Sequence, residues 1–150
     1  SDERVAAITR AILSRCGLQG LPAIKQVAAE EPLCADRRGA GYCCATNRVY
    51  MCSQREWVSC RELAYELSHA YNVCTGKTRC APGGVLQDGQ RCGYFSPPDL
   101  ACSEIRAAYW TGRCARRSGD HMLHCLEYHA RWAIGACFPR DEYADAHVRY

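Results

Sequence analysis

Thirteen cysteines in 150 residues limit what this chain can fold into more than any other feature. Such a density belongs either to a disulfide-stapled protein of an oxidising compartment or to a protein built on metal clusters. Spacing separates the two. Structural zinc sites are assembled from C-x-x-C pairs, and none occurs among Cys16, Cys34, Cys43, Cys44, Cys52, Cys60, Cys74, Cys80, Cys92, Cys102, Cys114, Cys125 and Cys137. They are scattered along the chain, and all except Cys16 are read as disulfide candidates. Cys60 with Cys74, and Cys80 with Cys92, are the local pairings expected. An odd count leaves at least one free thiol or one intermolecular bridge.

The length and a hydrophobic content of 48% suffice for one domain with a real core and are short for two. The net charge is +3, and the basic residues are nearly all Arg, with Lys25 and Lys77 the only lysines. They are interleaved with acids, so nucleic acid is not an expected partner. Arg37-Arg38 and Arg116-Arg117 are read as solvated loop charges. No apolar run approaches the roughly 20 residues that cross a bilayer. Peripheral attachment is therefore the expected relation to any membrane. The chain starts at Ser1 with no secretory signal, so any targeting segment is expected to have been removed or to lie outside this sequence.

Periodicity gives the order of elements. Asp2 can cap a first helix with Val5, Ile8, Ile12, Leu13 and Cys16 at helical spacing, stopped by Gly17. A second short helical stretch is expected around Ile24, Val27 and Ala28, leading into Pro32. Between Cys34 and Cys52, Gly39, Gly41, Asn47 and the alternation Arg48-Val49-Tyr50-Met51-Cys52 predict a small hairpin or edge strand. Trp57 to Asn72 reads as a central helix. The glycine-rich run from Thr75 to Tyr94 reads as a loop. Ser96-Pro97-Pro98-Asp99 is a helix start with a cap, Pro in the first turn and an acid three residues on. Asp120 is expected to cap a last helix, broken at Gly135 and Pro139.

The central helix carries the chemistry. Its sequence Glu62-Leu63-Ala64-Tyr65-Glu66-Leu67-Ser68-His69 is one residue short of H-E-x-x-H, in which two imidazoles one turn apart ligate Zn²⁺ and the Glu polarises the metal's water. Tyr65 stands at the first ligand position, Glu66 at the general-base position and His69 at the second ligand position. A phenol with an ordinary pKa near ~10 is a poor zinc ligand at neutral pH. The helix therefore reads as a zinc-protease helix without its zinc. His121, Cys125 and His129, at i, i+4 and i+8 on the last helix, are a second weak metal candidate. No G-x-G-x-x-G, P-loop or G-x-S-x-G is present.

The order of these landmarks resembles one family, the mitochondrial intermembrane-space metalloprotease that trims and helps assemble ATP synthase. The likeness spans roughly residues 33 to 138. His69-Ala70-Tyr71-Asn72-Val73-Cys74 is similar to the family's H-A-[FY]-D-x-C. Leu100-Ala101-Cys102-Ser103-Glu104-Ile105-Arg106-Ala107-Ala108, with Gly112 and Cys114 following, matches its L-A-C-S-E-[IV]-R-A-A…S-G-x-C almost letter for letter, and Cys137-Phe138 resembles its late C-F pair. The departures fall on the chemistry. Tyr65 replaces the first ligand His, Asn72 replaces the Asp after the second, and Arg37 stands where a cysteine is expected, although Cys43 and Cys44 can substitute.

The resemblance implies an α+β, minimal zincin-like fold, mostly helical with a small sheet and disulfide-stapled. Residues 1–32 would form a helical N-terminal extension, 33–138 the family-like core and 139–150 a tail. It implies a degenerate site at Tyr65, Glu66, His69, Asn72 and Glu104, with no catalytic residue, no cofactor and no metal expected. Tyr65, His69 and Glu104 are then expected to form a hydrogen-bonded cluster in the former metal cavity, with zinc on His69 and Glu104 as the competing expectation. Arg106 is expected to orient Glu104 or to cap nearby carbonyls. The implied role is an inactive accessory subunit of a mitochondrial inner-membrane complex, respiratory chain or ATP synthase, on the intermembrane-space side. The alternatives are an active zinc protease or assembly factor with a non-standard ligand set, and a free disulfide-rich binding module.

Overall fold

A computed structural model describes residues 3–28, 34, 39–52, 60–81, 93–115 and 117–138. Its elements follow the order α1 (Glu3–Cys16), β1 (Ala23–Val27), β2 (Ala40–Cys43), β3 (Arg48–Cys52), α2 (Cys60–Cys74), α3 (Pro97–Trp110) and α4 (Asp120–Cys137). The class is α+β. The three-stranded sheet has the order β1-β3-β2, with β2 and β3 an antiparallel hairpin and β1 parallel to β3 from Ala23↔Arg48 to Val27↔Cys52.

The expected helix around Ile24 and Val27 is thus a strand. A short apolar run fits either period, and β3 decides the matter by offering β1 a backbone edge to pair with along its whole length. For the same reason residues 1–32 are not a helical extension: β1 is part of the sheet and α1 packs along α2. The predicted hairpin is present, with Asn47 at its turn in the left-handed region (φ 47°). Asn suits that conformation because its short amide bonds locally. Here it accepts from the Tyr42 hydroxyl at 3.0 Å and donates to the Leu21 carbonyl at 3.3 Å, joining the hairpin to the segment before β1.

The core is one cluster in which Ile12 of α1, Val49 of β3, Leu67 and Ala70 of α2, Leu100 of α3 and Ala130 and Ile134 of α4 interlock. A smaller cluster gathers Tyr65, Ala107, Ala108, Cys114 and Leu126. Alanines along α3 and α4 let those helices approach closely. Ser96 caps α3 as expected, its Oγ accepting from the Asp99 amide at 3.4 Å and donating to the Asp99 carboxylate at 2.6 Å. Burial works against ionisation of Asp99, but its bonds to Ser96 and Arg79 outweigh it and hold the carboxyl below its ordinary range. At α4 the cap is Gly119 rather than Asp120, which sits in the first turn and complements the helix dipole there. Gly135 does not break α4, which runs to Cys137.

Disulfides join Cys16 to Cys74, Cys34 to Cys52, Cys44 to Cys80 and Cys114 to Cys125, and Cys137 is also disulfide-bonded. Both expected local pairings are corrected on the described residues: Cys74 bonds Cys16, Cys80 bonds Cys44 and Cys60 is free. Cys43 and Cys102, also disulfide candidates, are free thiols. Packing, not proximity in sequence, selects the partners. The Cys16–Cys74 bridge closes 58 residues and pins α1 to α2, a constraint on the unfolded chain of about 4 kcal/mol in the chain-entropy account. Gly20 makes room for it, since a Cβ there would lie 2.4 Å from that of Cys16. Cys92, Trp57, Arg37 and Arg116 lie outside the described residues. Among those described, no helix is long and apolar enough to cross a membrane.

Candidate functional site

The one-turn spacing of Tyr65 and His69 puts both rings on one side of α2, edge to face with centroids 5.2 Å apart. Both are buried. Glu104 of α3 reaches between them: its Oε2 accepts the Tyr65 hydroxyl at 2.5 Å, and its Oε1 lies 3.5 Å from His69 Nε2. The other ring nitrogen of His69, Nδ1, is 2.7 Å from Ser103 Oγ. Asn72, one turn further along α2, donates its amide to Ser103 Oγ at 3.3 Å and to the Ser103 carbonyl at 3.5 Å. The structure thus brings Tyr65, His69, Asn72 and Glu104 into one polar seam between α2 and α3. Glu66, buried on the same helix, lies close enough to raise the pKa of both Tyr65 and Tyr94.

Sequence reasoning missed four members of this site. Tyr42 of β2 stacks on His69 at 6.3 Å, and Tyr94 meets the same ring edge-on at 6.4 Å. Ser103 is the hinge of the network, and the Arg113 guanidinium lies 3.8 Å over the Tyr65 ring. Ser103 and Arg113 adjoin residues already singled out. Tyr42 and Tyr94 had only a strand alternation and a glycine-rich run around them. Arg106 contacts neither Tyr65 nor His69 in this network, and its Nη1 caps the Lys77 carbonyl at 3.1 Å.

Burial keeps the Tyr65 and His69 side chains of the seam uncharged. Burial, then the Glu104 charge and the hydrogen bond to it, push the Tyr65 phenol far above its ordinary value, so its proton stays and points at Glu104. Burial likewise drives His69 below 6.5, with Glu104 opposing and Arg113 assisting, so the imidazole is neutral at pH 7. These residues do not fit a zinc ion. A protonated phenol donates rather than ligates, which leaves His69 Nε2 and Glu104 as a pair where a zinc site needs three or four ligands. The linked Ser103–His69–Glu104 chain has the connectivity of a nucleophilic relay, but Ser103 is 0% exposed and no substrate carbonyl can reach it.

A neutral buried His69 makes stability depend on pH. The unfolded chain takes up a proton below about pH 6.5 while folded His69 resists, so stability present above that pH is lost as pH falls towards the lowered folded value. Urea unfolding is expected to show a decline approaching about 1.4 kcal/mol per pH unit below pH 6.5, and His69→Gln to remove most of it. His129, shifted downward by burial and then by Arg113, contributes in the same sense.

The second metal candidate is redrawn. Cys125 bonds Cys114, His121 is exposed, and the side chains that come together are Cys114, Cys125 and His129, with ligand atoms all within 4.8 Å of one another. In the disulfide form neither sulfur is a thiolate, so this trio is not a metal centre. The chain matches no family model, no curated protein and no solved structure.

Proposed function

We propose that this protein is a catalytically inactive relative of the intermembrane-space metalloproteases that its sequence resembles, working as an accessory subunit of a mitochondrial inner-membrane complex. The observation that carries the reading is the Tyr65 hydroxyl bonded to Glu104. Where hydrolysis needs an ion with an open position, this chain has a hydrogen bond that closes the place. Without a metal-bound water, Glu66 has no acidic proton to take. Large apolar side chains left exposed on α3 and α4, Tyr109, Trp110, Leu123, Tyr128 and Trp132, are suited to contacts with neighbouring subunits.

The test has two arms. Purified protein is expected to carry no stoichiometric zinc at this site and no peptidase activity that Glu66→Gln abolishes. Zinc lost on His69→Ala, with activity lost on Glu66→Gln, would establish the active protease instead. In native electrophoresis of solubilised mitochondria the chain is expected to run with a large assembly. Migration near its own 16.7 kDa would mark a free module and overturn the subunit reading.

A further inference from the structure

We propose that Cys114, Cys125 and His129 form a redox-gated zinc site, holding a disulfide when oxidised and a Zn²⁺ ion when reduced. Cys125 and His129 are one turn apart on α4, the i, i+4 spacing by which a helix offers two ligands to one ion. Cys114 comes to them from the turn that follows α3, which Gly112 opens at φ 69°. The ligand atoms already lie within 4.8 Å of one another. Ligands of one tetrahedral zinc sit roughly 3.5–3.8 Å apart for Zn–S near 2.3 Å and Zn–N near 2.0 Å. Rotation about side-chain bonds covers that difference, because breaking the S–S bond lets the two sulfurs separate.

The surroundings favour the site. Cys125 and His129 line a cavity of about 490 Å³ with Arg113, Arg117 and His124, which gives an ion a way in and leaves room for a water as fourth ligand. Two thiolates cancel the charge of Zn²⁺, so the adjacent guanidiniums do not repel the complex. They favour thiolate over thiol.

The exchange balances. Two molecules of a small thiol of the glutathione class give two electrons to the Cys114–Cys125 bond and become a disulfide, leaving two protein thiols. Zinc binding then releases their two protons. In reverse, a small disulfide takes two electrons from the bound thiolates, the S–S bond re-forms and Zn²⁺ leaves. Either cross-link ties the turn after α3 to α4.

The experiment uses the full chain, with Co²⁺ as the spectroscopic stand-in for zinc, before and after graded reduction by dithiothreitol that is then removed. Reduced wild type is expected to develop a thiolate-to-cobalt charge-transfer band that Zn²⁺ bleaches, and oxidised wild type to show none. His129→Ala is expected to weaken cobalt binding at least about tenfold, Cys114→Ser/Cys125→Ser to abolish the band, and His121→Ala to leave it unchanged. Absence of the band in reduced wild type would overturn the proposal, as would its persistence undiminished in His129→Ala. Should the double Ser variant fail to fold, the His129→Ala titration in the native chain decides alone.

Discussion

Replacing Tyr65 with His is expected to create a zinc site where the wild-type chain has none. The helix spacing would place two imidazoles one turn apart, and Glu104, released from the phenol, would stand with its Oε1 already 3.5 Å from His69 Nε2. The outer support is in place as well. His69 Nδ1 is engaged by Ser103 Oγ, the kind of contact that fixes a ligating ring with its other nitrogen towards the ion. Two His and one carboxylate are a sufficient set for a site with an open fourth position. Isothermal titration of Tyr65→His with Zn²⁺ is expected to give one equivalent bound at micromolar Kd or tighter, at least about a hundredfold tighter than wild type, or about 2.7 kcal/mol. The gain should vanish in Tyr65→His/Glu104→Gln. No binding by a folded Tyr65→His variant would mean that the seam cannot supply three ligands to one ion.

Asn72→Asp is expected to be among the most destabilising single changes in the chain. Asn72 is completely buried and donates its amide to the carbonyl and the hydroxyl oxygen of Ser103, while its own oxygen has no hydrogen-bond partner among the described residues. A carboxylate cannot donate to that carbonyl. It would face an acceptor in a dry seam, or take up a proton at the cost of a strongly raised pKa. Leaving such a charge uncompensated costs about 3–5 kcal/mol, visible as a lowered urea midpoint with unchanged slope. The loss should shrink as pH is lowered through the carboxyl range, because the protonated acid can donate. Tyr65 and Asn72 are thus both neutral hydrogen-bond donors set into the same seam.

The parts of the fold legible in the sequence were those set by local chemistry. The first helix follows from the spacing of Val5, Ile8 and Ile12, the third from Ser96, Pro97 and Asp99, and the hairpin from Gly39, Gly41 and Asn47 with the Arg48-to-Cys52 alternation. What local rules cannot supply is a partner chosen by packing. Ile24 and Val27 form a strand because β3 lies beside them, and Cys74 finds Cys16 because α1 lies along α2. The site divides in the same way. Tyr65, His69 and Glu104 were named through a helical period and a matching string, whereas Tyr42 and Tyr94 converge on the imidazole from a strand and from an isolated bridge to Cys80. No spacing rule connects residues 42, 69 and 94.

The parallel pairing of β1 with β3 also bears on how far this chain tolerates shortening. A proteolytic cut between Gly17 and Ala23 would sever one of three strands from the helix before it, leaving that helix joined covalently, among the described residues, only through the sulfur bridge to the end of α2. In a reducing buffer only the packing of α1 along α2, with Ile12 in the core, would hold that fragment in place.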